Sequence, residues 1–95
     1  MNNEIKQLFE RFTKLAKLKT SSKRNDREKN PNAEYYKNEF YKLDFASCYG
    51  GYVIRKVLTG TGEDGIFGET RRNKKEMESF LRGLVYGLTF KKHYK

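Results

Sequence analysis

The sequence predicts a small α+β domain: an antiparallel hairpin or three-stranded sheet packed by a C-terminal helix, with an N-terminal amphipathic helix. Three patterns carry this prediction. Apolar residues recur at helical spacing towards both ends of the chain. Tyr41, Leu43 and Phe45 alternate with Lys42, Asp44 and Ala46. The pair Gly50-Gly51 then separates that alternation from YVIRKVLT, a run rich in β-branched residues. The chain reads as one domain over residues 1–95, with a helix over 3–18, a polar basic linker over 19–32 and an α+β core over 40–90.

The first helix follows from Ile5, Leu8, Phe9, Phe12, Leu15 and Ala16, which form one continuous apolar stripe. Lys6, Arg11, Lys14 and Lys17 lie mainly off it, and Asn2 or Asn3 supplies a cap. Such a basic amphipathic helix packs on its own domain, pairs with a second copy as a homodimer, or lies on a membrane surface or in a partner's groove. Packing on its own domain is the preferred reading. The stretch KTSSKRNDREKNPN that follows has no large apolar residue, and so has nothing to bury. It reads as an exposed linker ended by Pro31, or as a basic arm (Lys23, Arg24, Arg27) that orders on a phosphate backbone.

The paired glycines favour a hairpin, because glycine accepts positive φ without steric cost, although the turn's width and the register stay open. In GTGEDGIFG, Ile66 and Phe67 are available for a short third strand or a buried anchor. The second helix is marked by Asn73 and Glu76, spaced as an N-cap and its acid at N3. Met77, Phe80, Leu81, Leu84, Val85 and Leu88 then repeat at helical spacing. Ser79, Gly83 and Gly87 form a second stripe of small residues, which suggests close approach of another backbone.

The 95 residues carry a net charge of +9. Residues 1–38 hold ten Lys/Arg against five acids, residues 39–70 three against five, and residues 71–95 eight against two. Two basic ends around a mildly acidic middle favour an anionic partner: nucleic acid, an acidic protein surface or anionic lipid. Cys48 is the single cysteine and His93 the single histidine, so an intramolecular disulfide and a Cys- or His-rich metal site are excluded. No apolar run approaches a membrane span, and a reducing, cytoplasmic setting fits best.

Catalytic readings fail on context. Gly60-Thr61-Gly62-Glu63-Asp64-Gly65 matches a dinucleotide fingerprint in letters, but no helix opens from it and its acids would repel a pyrophosphate. Cys48 has no base near it in sequence, and Asp44, Glu63, Asp64 and Glu69 show no spacing of an acid/base pair or metal cage. Neither an enzyme nor a cofactor is expected. The most suggestive cluster is Arg71, Arg72, Lys74 and Lys75 at the opening of the second helix, where forked guanidiniums and free N–H groups suit phosphate. Lys91 and Lys92 join the candidate nucleic-acid-binding residues, and Tyr49 and Tyr52 are candidate base-stacking residues.

The stretch YKLDFASCYGGYVIRKV, the loop GTGEDGIFG and the helix RRNKKEMESFLRGLVYGL together resemble a set of small uncharacterised phage and mobile-element proteins. Those share an aromatic-x-Leu/Ile-acid-aromatic-Ala segment, Tyr-Gly-Gly-Tyr, a glycine-rich loop and a Lys-Glu-Met helix ending in Gly-Leu. The resemblance covers roughly residues 41–88 and brings no site residues with it. It implies a phage or mobile-element origin and no known activity; small proteins of such origin often bind DNA or inhibit host defence systems such as CRISPR nucleases, and the function expected here is binding of nucleic acid or a nucleoprotein complex. The alternative is a protein-interaction or self-association module whose charge keeps it in solution.

Overall fold

The fold is described from a computed structural model, which covers residues 3–68 and 70–93, with the backbone alone for 92 and 93. The elements run α1 (Asn3–Leu15), β1 (Phe40–Ala46), a 3-10 turn (Ser47–Tyr49), β2 (Gly51–Val57), β3 (Glu63–Gly65) and α2 (Lys74–His93). The sheet is antiparallel in the order β1-β2-β3. The expected α+β layout, with helices before and after a small antiparallel sheet, is the one observed.

One core joins both helices to one face of β2. Ile5, Phe9 and Phe12 of α1 meet Met77, Leu81 and Val85 of α2 and Tyr52 and Ile54 of β2, all buried. Phe80 and Leu84 are only partly buried at its margin, as are Ile66 and Phe67. The most extensive contact of α2 is with α1 rather than with the sheet. Half of the α1 stripe, Ile5, Phe9 and Phe12, is therefore spent inside the chain, while Leu8, Leu15 and Ala16 remain partly buried at the margin of the core. Glu4 pairs with Arg82, Leu8 shares a groove with Val85 and Thr89, and Leu15 shares one with Leu88 and Lys91. The two helices thus run in the same direction.

Helix α1 ends earlier than its stripe implies. Lys17 takes a left-handed backbone (φ 57°), Leu18 N–H donates to Thr13 O at 2.8 Å, and Lys17 N–H donates to Lys14 O at 3.2 Å. These are the paired bonds of a Schellman turn, here with lysine where glycine is usual. Ala16 and Leu18 still pack on the core from beyond the helix.

Residues 19–32 are largely exposed, as their composition demands, yet they are not an unpaired spacer. The chain goes out and returns beside itself. Asn25 N–H donates to Tyr35 O, Lys37 N–H to Lys23 O, and Asn38 N–H to the Ser22 hydroxyl. At the far end Asp26 accepts from the N–H groups of Glu28 and Lys29, closing a side-chain turn. Tyr41 N–H to Lys19 O and Tyr36 N–H to Thr59 O fasten the excursion to both strands at the open end of the hairpin. Backbone hydrogen bonds, which composition does not report, hold this segment.

The hairpin register pairs Ala46 with Gly51 and Phe45 with Tyr52, so the turn is wider than the two glycines. The third strand falls on Glu63–Gly65, ahead of Ile66 and Phe67, which serve as core anchors instead. No helix among the described residues is long and apolar enough to cross a membrane.

Candidate nucleic-acid interface

The opening of α2 is built around its own cap. Asn73 Oδ1 accepts from Glu76 N–H at 2.8 Å, and Glu76 Oε1 accepts from Asn73 N–H at 3.0 Å. This is the reciprocal capping box that the spacing predicts. It also sets a carboxylate at the helix N-terminus, beside the N–H groups that suit a phosphate. Lys74 and Lys75 follow in the first turn and are exposed.

The two arginines ahead of the cap face inward. Arg71 donates from Nη1 to Gly51 O at 2.9 Å and from Nη2 to Asp44 Oδ2 at 2.8 Å, with its side chain only 14% exposed. The Arg71 hydrogen bond is the main reason the Asp44 carboxyl titrates below its ordinary value of 3.8, with further help from the charges of Arg71, Lys42 and Arg55 against some desolvation. Arg72 exchanges both backbone hydrogen bonds with Tyr52, at 2.7 and 2.8 Å, and its guanidinium lies 3.9 Å from the Phe80 ring centroid. Expected as phosphate ligands, Arg71 and Arg72 instead tie the approach to α2 onto the hairpin.

Gly50 (φ 94°) and Gly51 (φ 117°) make that tie close. A Cβ on Gly51 would sit 2.3 Å from Arg72 O and 3.3 Å from Asn73 Cα, and one on Gly50 would sit 4.0 Å from Arg71 Cβ. The hairpin end therefore rests against residues 71–73. Of the two candidate stacking residues, Tyr52 is buried at 4% exposure and offers no face to a base. Tyr49 is 75% exposed.

Lys23, Arg24 and Arg27 lie on the excursion. The Arg24 guanidinium is 4.8 Å from the Tyr35 ring centroid, Arg27 donates weakly to Pro31 O at 3.5 Å, and Lys23 is exposed. Lys91 is exposed near the other end of α2, and the side chain of Lys92 lies outside the described residues. Seventeen residues at about 1.5 Å each separate Lys74 from Lys91, so roughly 25 Å of helix keeps the two lysine groups apart.

Lys91 has neighbours that the sequence does not single out. Because the helices run in parallel, it shares a groove of about 860 Å³ with Arg11, Lys14, Lys17, Leu15, Ala16 and Leu88. Four cations stand around an apolar floor. None of the four has an acidic partner among the described residues, whereas Arg82 is paired with Glu4 and Glu78, Lys42 with Glu63, and Lys56 with Glu39. The i, i+3, i+6 spacing of Arg11, Lys14 and Lys17 is visible in the sequence, but their meeting with Lys91 is a product of topology. Comparisons with protein-family models, with curated proteins and with solved structures found no match to this chain.

Proposed function

We propose that this chain is a small basic accessory protein of phage or mobile-element type that binds nucleic acid or a nucleoprotein complex and performs no chemistry of its own. The observation that carries the reading is the groove of Arg11, Lys14, Lys17 and Lys91, four exposed cations without an acidic partner among the described residues, whereas Lys42, Arg71 and Arg82 each have one. Like charges held together on one surface repel one another, and an external polyanion removes that cost. Lys74 and Lys75 provide a second exposed basic group, and the net charge of +9 attracts the same ligand from a distance. A counter-defence role against a host nuclease belongs to the same class of partner.

The test is a salt titration of binding to duplex DNA, single-stranded DNA and RNA. Each phosphate neutralised on duplex DNA contributes about −0.9 to the log–log slope. Changing Arg11, Lys14, Lys17 and Lys91 together to Gln should weaken binding to all sequences and make the slope shallower by about 2–4 units. Wild-type affinity no better than about 10⁻⁴–10⁻⁶ M for every nucleic acid, unmoved by the quadruple change, would remove this reading.

A second reading has an observation of its own. On α2 the small-residue stripe meets nothing: Gly83 and Gly87 face open space, and Tyr86 and Phe90 beside them are 74% and 53% exposed. Gly83, Gly87 and the exposed Tyr86 on this face support a self-association or protein-interaction module, read by sedimentation of the free protein.

A further inference from the structure

We infer that the hairpin end is a stacking ledge for unpaired bases, so that the nucleic acid taken by this surface is single-stranded. This rests on the nucleic-acid reading above and narrows it. Phe45 is 41% exposed and its ring lies 4.6 Å from the buried Tyr52 ring at 37°, so Tyr52 backs it from within the fold. Tyr49, on the 3-10 turn, is more exposed still. Large aromatic surface held in water is unfavourable, and a base face removes it without regard to which base it is.

The ledge is anchored rather than loose. Gly50 and Gly51 lie against residues 71–73, Arg71 reaches Gly51 O, and Arg72 exchanges backbone bonds with Tyr52. The same contacts bring the hairpin end to the first turn of α2, where Lys74 and Lys75 are exposed. Among the described residues, Asp44 is paired with Arg71 and Glu76 is bonded within the cap. Aromatic faces beside cations are the elements from which single-strand sites are built: the rings take bases and the lysines take phosphates. A paired base in a duplex presents no face to such a ledge.

The experiment measures binding of a mixed-sequence single strand and of the matching blunt duplex to wild type, Tyr49→Ala and Tyr49→Phe. Tyr49 is so exposed that its replacement leaves the core intact, and equal melting temperatures would document this. Tyr49→Ala should lose about 5- to 140-fold in single-strand affinity, the span of one stacked base, with duplex affinity unchanged. Tyr49→Phe, which keeps the ring, should bind like wild type. Phe45→Ala should show the same selectivity. Equal losses on both substrates, or none on either, would overturn the ledge while leaving nucleic-acid binding in place. Failure of the wild type to bind either substrate would remove the broader reading and the ledge with it.

Discussion

Arg71 Nη2 sits 2.8 Å from Asp44 Oδ2, and Nη1 of the same guanidinium holds Gly51 O at 2.9 Å, so one side chain ties the strand before the turn, the turn itself and the lead into α2. Arg71→Ala should cost about 1–3 kcal/mol in urea denaturation, because it leaves a carboxylate and a carbonyl without their donor. The pair also has a pH signature. The folded Asp44 carboxyl titrates below its ordinary value, so its contribution is complete above about pH 4–5 and fades as pH falls through the lower folded value. Asp44→Asn should flatten the acid limb of the stability profile and leave its slope near neutral pH alone. An unchanged acid limb would show that Asp44 titrates alike in the folded and unfolded chains.

Gly51→Ala should be among the most damaging single changes in the molecule. Its methyl group would fall 2.3 Å from Arg72 O, a backbone atom, at a φ of 117° that side chains rarely adopt. A loss of about 3 kcal/mol or more is expected by equilibrium denaturation, against less than about 0.5 kcal/mol for the exposed Ser47→Ala nearby.

Lys17→Gly should stabilise the protein. The left-handed backbone at Lys17 costs a side-chain-bearing residue about 1–2 kcal/mol, and glycine occupies it freely. Glycine's greater freedom in the unfolded chain offsets part of this, leaving a gain of about 0.5–1 kcal/mol in thermal or urea unfolding. Because Lys17 also lines the basic groove, the same change should weaken nucleic-acid binding, separating stability from affinity at one position.

Gly83→Ala and Gly87→Ala should each stabilise α2 by about 0.5–1 kcal/mol, since at neither site would the added methyl group meet anything within 4 Å beyond the adjoining helix backbone. If α2 instead meets a second backbone through these glycines, alanine will hold the partner off. Sedimentation would then show weaker self-association in the variants, and the self-association reading would gain over the polyanion reading.

How legible each part was depends on how local its cause is. Helix α2 announces itself because Asn73, Glu76 and the apolar series from Met77 to Leu88 are all read within one segment. The end of α1 does not, because the stripe continues through Ala16 and Leu18 while an unusual lysine turns the chain. The excursion over residues 19–39 is silent in composition since its order comes from main-chain pairing. Among the site residues, Tyr49, Lys74 and Lys75 stay on the surface as their local setting suggests. Arg71, Arg72 and Tyr52 turn inward for partners that lie 8–27 positions away, and Arg11 meets Lys91 only because two distant helices are parallel.

That parallel pairing governs how the chain must come together. Two helices joined by a short loop lie antiparallel; here the whole sheet and the excursion, residues 16–73, intervene between two helices that share one core. Contacts so distant in sequence carry a large loop-closure cost before any burial rewards them, which slows folding relative to local helical hairpins. During synthesis Ile5, Phe9 and Phe12 of α1 precede all their core partners, and the largest share of their cover comes only with Met77, Leu81 and Val85 of α2. Burial of the α1 stripe therefore waits on α2, and removing α2 should leave a basic amphipathic helix whose apolar face lacks most of its cover.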